Sequence, residues 1–142
     1  MSTLLDTNIL TRLVQSAHPQ RLSALNAVNK LRQQGELLCI VPQNLYEFWV
    51  VCTRPAAQNG LAMTTAHTAL EISQIKTQFT LINDTPSILA EWELLVTQHQ
   101  VRGKNAHDAR LVAAMLAHGI QQILTFNASD FQRYPGIRVL VP

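Results

Sequence analysis

The chain has 142 residues, eleven Lys and Arg against nine Asp and Glu for a net charge of +2, and is 47% hydrophobic but only 14% charged. Those values suit one compact domain with a buried core and exclude a disordered polar chain, a low-complexity or collagen-like repeat and a large multidomain machine. No apolar run reaches the roughly 18 residues of a membrane helix. The opening Met1-Ser2-Thr3-Leu4-Leu5-Asp6 meets an acid too early for a secretory signal. Two cysteines, Cys39 and Cys52, cannot build a disulfide framework. Both sit in apolar runs, so free buried thiols and a cytosolic protein are expected.

In chain order, Ser2–Leu5 reads as a short strand ending at Asp6, and Asn8–Gln15 as a short helix stopped near His18-Pro19. Arg21–Gln34 places Leu22, Leu25, Val28 and Leu31 on one helical face, and Gly35 is its stop. Leu37–Val41 is a continuous apolar run of strand length. Pro42 then opens a helix to about Thr53, ended by Pro55. A loop covers Arg54–Met63, and a helix follows over about Thr64–Lys76. Phe79–Ile82 is the third strand, and Pro86 starts a helix to about Gln100. After the basic loop Arg102-Gly103-Lys104-Asn105, Ala106–His118 is a helix closed by Gly119. Gln122–Thr125 is the fourth strand, Asn127–Phe131 a turn and Arg138–Val141 a fifth strand. Short apolar strands separated by helices predict an α/β fold with a buried parallel sheet and helices on both faces. Ligands of such sheets sit outside the carboxyl ends of the strands.

Four acids stand out against that layout. Asp6 ends the first strand, though an Asp before a helix is also an ordinary N-cap. Glu47, in Gln43-Asn44-Leu45-Tyr46-Glu47-Phe48-Trp49, is the only acid between Glu36 and Glu71. Asp108 falls in the first turn of its helix if Asn105 is the cap, where the helix dipole favours a carboxylate; Arg102, Lys104 and Arg110 surround it. Asp130 follows the fourth strand. Clustered carboxylates repel and raise one another's pKa, whereas hard divalent cations require several oxygen ligands. With these four set aside, eleven bases face five acids, so an acidic pocket would sit on a body of charge +6 suited to a polyanion.

Four blocks, Leu5-Asp6-Thr7-Asn8-Ile9-Leu10, Glu47, Asn105-Ala106-His107-Asp108-Ala109-Arg110-Leu111-Val112-Ala113-Ala114 and Leu124-Thr125-Phe126-Asn127-Ala128-Ser129-Asp130-Phe131, together resemble a PIN-domain nuclease over nearly the whole chain. Size and layout resemble the toxin half of VapBC-type toxin–antitoxin pairs. The resemblance implies a three-layer α/β/α sandwich over residues 1–142, with four or five parallel strands in the order 3-2-1-4-5. It implies Mg²⁺- or Mn²⁺-dependent cleavage of RNA. Asp6, Glu47 and Asp108 match the family's first three acidic positions. Its last block often carries an acid at the position of Asn127 or Asp130, and here only Asp130 is charged; Asn127 then offers a neutral oxygen or orients a water. Asn8 and Thr125 match polar positions that support the acids. Arg102, Lys104 and Arg110 are candidate phosphate contacts, with Arg12, Arg54 and Arg133 weaker ones. The same resemblance implies a homodimer and a VapB-like antitoxin whose amphipathic helix covers the site, over the helices near Asn8–Gln15 and Pro42–Val51; Leu10, Leu13, Val14, Phe48 and Val51 could contribute there or be core. Trp49 and Trp92 are expected in the core.

Other readings are weaker. A phosphoacceptor receiver domain requires an acidic pair after the first strand and a Lys after the fifth; this chain has Asp6-Thr7-Asn8 and ends its fifth strand near Pro142. A haloacid-dehalogenase-like phosphatase requires a second Asp where Asn8 stands. A housekeeping RNA-processing nuclease, or a non-catalytic RNA- or partner-binding module, remains an alternative within the family.

Overall fold

The computed structural model describes residues Met1–Pro142. Five parallel strands form one sheet in the order β3-β2-β1-β4-β5: β1 Ser2–Leu5, β2 Leu37–Ile40, β3 Thr80–Leu81, β4 Gln122–Leu124 and β5 Arg138–Leu140. Six helices connect them: α1 Thr7–Val14, α2 Arg21–Gln33, α3 Pro42–Thr53, α4 Thr65–Gln78, α5 Ser87–Gln98 and α6 Asn105–Ala117. None is long and apolar enough to cross a membrane.

The first strand lies in the middle, with Leu4 opposite both Cys39 and Ile123. Successive side chains of a strand point to opposite faces, so Leu4 and Leu5 enter different cores. Leu5 joins Ile9, Leu10, Val28, Phe48 and Ile75 beneath α1–α4. Leu4 joins Ile88, Leu95, Leu111, Met115, Ile123 and Phe131 beneath α5 and α6. The central strand is therefore apolar on both faces at Leu4 and Leu5, which is why its run reads as continuous rather than alternating. Cys39 and Cys52 are free and buried, as expected.

The helix stops fall where glycine permits them. Gly35 and Gly119 adopt φ of 79° and 67°, a left-handed conformation that costs other residues energy. Two element ends differ from the sequence reading in ways that bear on the site, and one aromatic residue sits elsewhere than expected. The third strand shrinks to Thr80–Leu81 because Phe79 serves as the C-cap of α4. Ile82 still donates its N–H to the Ile40 carbonyl, so pairing outlasts the strand geometry. The helix carrying Asp108 begins at Asn105, with Lys104 before it and no side-chain cap. Trp92 packs against the core, but Trp49 lies on the outer face of α3, 37% exposed.

Two polar clusters are buried at opposite ends of the sheet. At the amino end, Gln122 donates to Thr3 Oγ1 (2.6 Å) and to Glu36 Oε2 (2.9 Å), and Thr3 also donates to Glu36 (3.0 Å). At the carboxyl end, Asn44 is fully buried. Its Oδ1 accepts from the Val41 backbone N–H (2.8 Å), and its Nδ2 donates to the Leu5 carbonyl (3.1 Å) and to Thr7 Oγ1 (3.2 Å). One amide thus caps α3 and ties it to the end of β1. Asn44→Ala, which strips three buried bonds, is expected to lower unfolding free energy by about 2–4 kcal/mol. Urea denaturation measures it, and an unchanged midpoint would show that the tie carries no load.

Candidate functional site

Asp6 stands where β1 ends and α1 begins, and is only 7% exposed. It is the N-cap of α1: Oδ1 accepts the Thr7 backbone N–H at 2.7 Å. The other oxygen accepts from the Thr125 hydroxyl (2.7 Å) and the Asn8 amide (3.2 Å). Thr125 follows β4, the strand beside β1, and its Oγ1 also accepts from Asn8 Nδ2 (3.2 Å) and from the Asn127 backbone N–H (2.9 Å). Asn8 Oδ1 accepts the Phe126 N–H (3.2 Å). The cap and the site are therefore alternatives only on paper; one carboxylate serves both, and Asn8 and Thr125 hold it. Asn127 contributes its backbone, while its side chain faces solvent.

Glu47 rises from α3 one turn beyond Gln43. Its Oε1 accepts from Gln43 Nε2 at 2.7 Å and its Oε2 from the Thr7 hydroxyl at 3.4 Å. Asp108 lies in the first turn of α6. Asp130 closes a short 3₁₀ turn, Ala128–Asp130, after β4. All four expected acids thus come to the carboxyl edge of the sheet.

They sense one another there. Burial raises the pKa of Asp6, and the Asp130 charge adds to it, against the opposing bonds from Thr125 and Thr7. Burial also raises Glu47, opposed by the Gln43 bond and reinforced by Asp6. Asp108 is pushed up to about 7, by burial first and then by Asp130, Asp6 and Glu47 in turn; Arg133 alone opposes. No hydrogen bond helps Asp108 keep its charge.

The donor chemistry fits a hard divalent cation: four carboxylates, two of them, Asp108 and Asp130, without a protein donor, and no thiol among them. In their present positions no three Asp, Glu, His or Cys side chains form a ready ion cage.

The basic residues divide. Arg102 and Lys104 are exposed in the loop before α6. Arg110, partly exposed, bonds to Asp84 (3.0 Å) and to Gln43 Oε1 (3.0 Å). Arg12 bonds to Gln15 and Gln20, and Arg54 to the Asn59 carbonyl. Arg133, a minor candidate by sequence, is the cation felt by Asp108. Sequence reasoning missed Gln43, Asn44 and Thr7. Two adjacent amides in an otherwise apolar helix, directly after Pro42, were the available signal.

The sequence model of one family, the PIN domain, matches residues 3–137. No curated protein sequence matches the chain. Among solved structures, VapBC2 of Rickettsia felis bound to a promoter DNA fragment superposes with a TM-score of 0.75 at 15% identity, covering 100% of this chain and 99% of that one. A toxin–antitoxin complex of Klebsiella pneumoniae gives 0.67 at 23% identity, covering 97% and 95%. VapC20 of Mycobacterium tuberculosis, described as a sarcin-ricin loop cleaving toxin, gives 0.62 at 15%, covering 85% and 86%. At such identities the superpositions speak for the shared fold alone.

Because Asp108 ionises less readily folded than unfolded, its charge destabilises the metal-free protein. That cost is absent below about pH 4, where both states are protonated, and grows as pH rises toward 7. Asp108→Asn is therefore expected to stabilise the metal-free protein at pH 7 by about 1 kcal/mol or more, a few degrees in Tm. Melting curves at pH 4 and pH 7 check it; an equal or lower Tm at pH 7 contradicts the repulsion.

Proposed function

The chain belongs to the PIN-domain family, and on that premise we propose that it is a metal-dependent endoribonuclease, the toxin of a VapBC-type pair. The observation that carries this reading is the crowd of four carboxylates at the carboxyl edge of the sheet, three of them with raised pKa. Evolutionarily neutral packing has little reason to keep that repulsion, which a bound cation relieves.

Asp6 and Asp108 would hold a Mg²⁺ or Mn²⁺ ion, with Glu47 and Asp130 completing the pocket. Such an ion, when bound, acidifies water and offsets charge building on phosphoryl oxygens. Thr125, Asn8 and the Thr7 N–H keep Asp6 oriented for that duty. Glu47 Oε2, held only by a 3.4 Å bond from Thr7, is the freer oxygen and would accept the proton of the attacking water; burial raises its pKa and so makes it a stronger base than a solvated Glu. Arg102 and Lys104 take phosphates of the RNA on either side of the cleaved bond.

Two surfaces support the expected partners. A groove of about 370 Å³ runs between α1, α2 and α4, with Leu13, Val14, Leu25 and Phe79 in its walls and Arg21 and Arg32 beside them. It suits the apolar face of an antitoxin helix flanked by acids. Leu10 and Phe48 are fully buried, so they act as core rather than as contact residues. The outer face of α3 exposes Tyr46 (64%), Trp49 and Val50 (53%), an apolar strip suited to a homodimer contact.

Labelled RNA is expected to be degraded with Mg²⁺ or Mn²⁺ and spared in EDTA. Asp6→Asn and Asp108→Asn should each lower the rate about 100-fold or more. Cleavage that persists in EDTA, or in either variant at the wild-type rate, sinks the assignment. Expression in a host should arrest growth, and Asp6→Asn should relieve it. In a binding titration with Asp6→Asn protein, Arg102→Gln and Lys104→Gln are each expected to flatten the dependence of log affinity on log salt by about 0.7. An unchanged slope removes that residue from the phosphate contacts.

A further inference from the structure

The geometry points to Gln43 as the residue that positions Glu47 for the cation, under the control of an Arg110–Asp84 pair. The inference rests on the nuclease reading above, and goes beyond it by giving a role to three residues outside the four acids.

Gln43 is 6% exposed, in the first turn of α3. Its Nε2 carries two hydrogens and makes two short bonds, to Glu47 Oε1 (2.7 Å) and to the His107 carbonyl (2.7 Å). Its Oε1 accepts from Arg110 Nη1 (3.0 Å). The second arm of that guanidinium, Nη2, reaches Asp84 Oδ2 (3.0 Å), just beyond β3. A chain of hydrogen bonds thus runs from Asp84 at the surface to Glu47 in the cleft.

The amide admits one orientation. Turned over, its oxygen would face the Glu47 carboxylate and the His107 carbonyl, and its nitrogen would face the guanidinium, a mismatch at all three contacts. Arg110 therefore keeps the NH₂ group aimed at Glu47. His107 precedes Asp108, so the same NH₂ group also fixes the start of α6 against α3. One side chain sets the spacing between the acids contributed by two helices. It holds Glu47 Oε1 while Oε2 keeps only the long bond from Thr7, and it favours the ionised carboxylate a cation requires.

The test is binding of Mn²⁺ alone to the full chain, read from the electron paramagnetic resonance signal of the free ion. Gln43→Met keeps the length of the side chain and removes every bond. It is expected to weaken Mn²⁺ at least tenfold, with KM for RNA unchanged, because Gln43 faces Glu47 and not the basic loop. Arg110→Met leaves the amide in place but frees it to turn, and is expected to weaken Mn²⁺ by a smaller factor. A purely structural Gln43 would lower Tm and leave the Mn²⁺ affinity of the folded variant untouched, which overturns the inference. So does wild-type Mn²⁺ affinity in Arg110→Met, the variant that decides should Gln43→Met fail to fold. Arg110→Met protein that loses RNA affinity while holding Mn²⁺ normally makes the arginine a phosphate contact and removes it from the chain of bonds. In each of these cases the wild type still binds Mn²⁺ and cleaves RNA, so the nuclease reading survives. Wild-type protein that binds no Mn²⁺ overturns both.

Discussion

Carboxylates buried together at one edge of the sheet, where burial and mutual repulsion both oppose their charge, are the constraint around which this molecule is arranged. The pKa of the Asp108 carboxyl is pushed up to about 7, by burial first and then by the charges of Asp130, Asp6 and Glu47. The scaffold tolerates the crowd by holding individual oxygens with neutral donors: a backbone N–H, two hydroxyls and two amides. Each donor is uncharged, so none cancels the negative field that a cation or a proton must answer. The hydrogen-bonded acids sit on β1 and α3, elements locked together by Asn44. Asp108 stands apart, at the start of a helix, with the dipole of its first turn and the Arg133 charge as counterweights.

Much of this was legible in the residues. Short apolar runs between helical stretches give a parallel sheet because a strand buried on both faces has no polar side to show. Asp6, Asp108 and Asp130 betray themselves by falling just after strands or at a helix start, and Glu47 by its isolation among apolar neighbours. What stayed hidden is of another kind. The duties of Gln43 and Asn44 exist only once α3 lies against β1 and α6, and nothing in their local sequence says what those helices touch. Arg110, one of three bases near Asp108, gave no sign that it would turn to Asp84, 26 residues away in the chain. The third strand was overestimated because Phe79 is apolar enough for a strand, yet is consumed by the end of α4. Trp49 misled for the simpler reason that a large apolar residue is usually buried.

The likeness to structures of 15–23% identity follows from the same division of labour. Two separate apolar clusters flank the sheet, and each accepts many combinations of Leu, Ile, Val and Met of similar total volume. The polar bonds at the carboxyl edge are far less exchangeable, since most involve two or three partners at once.

The central position of β1 has a consequence for when the molecule becomes whole. Asp6 ends the central strand, yet the hydroxyl that holds it belongs to Thr125, 119 positions later in the chain. A chain still growing on the ribosome can fold α1–α4 over β1 and β2, but its acidic edge stays open until β4 is inserted beside β1. Truncated or prematurely released products lack Asp130 and the Thr125 clasp together. The assembled site is thus a property of finished molecules only, a delay written into strand order rather than into any separate regulatory segment.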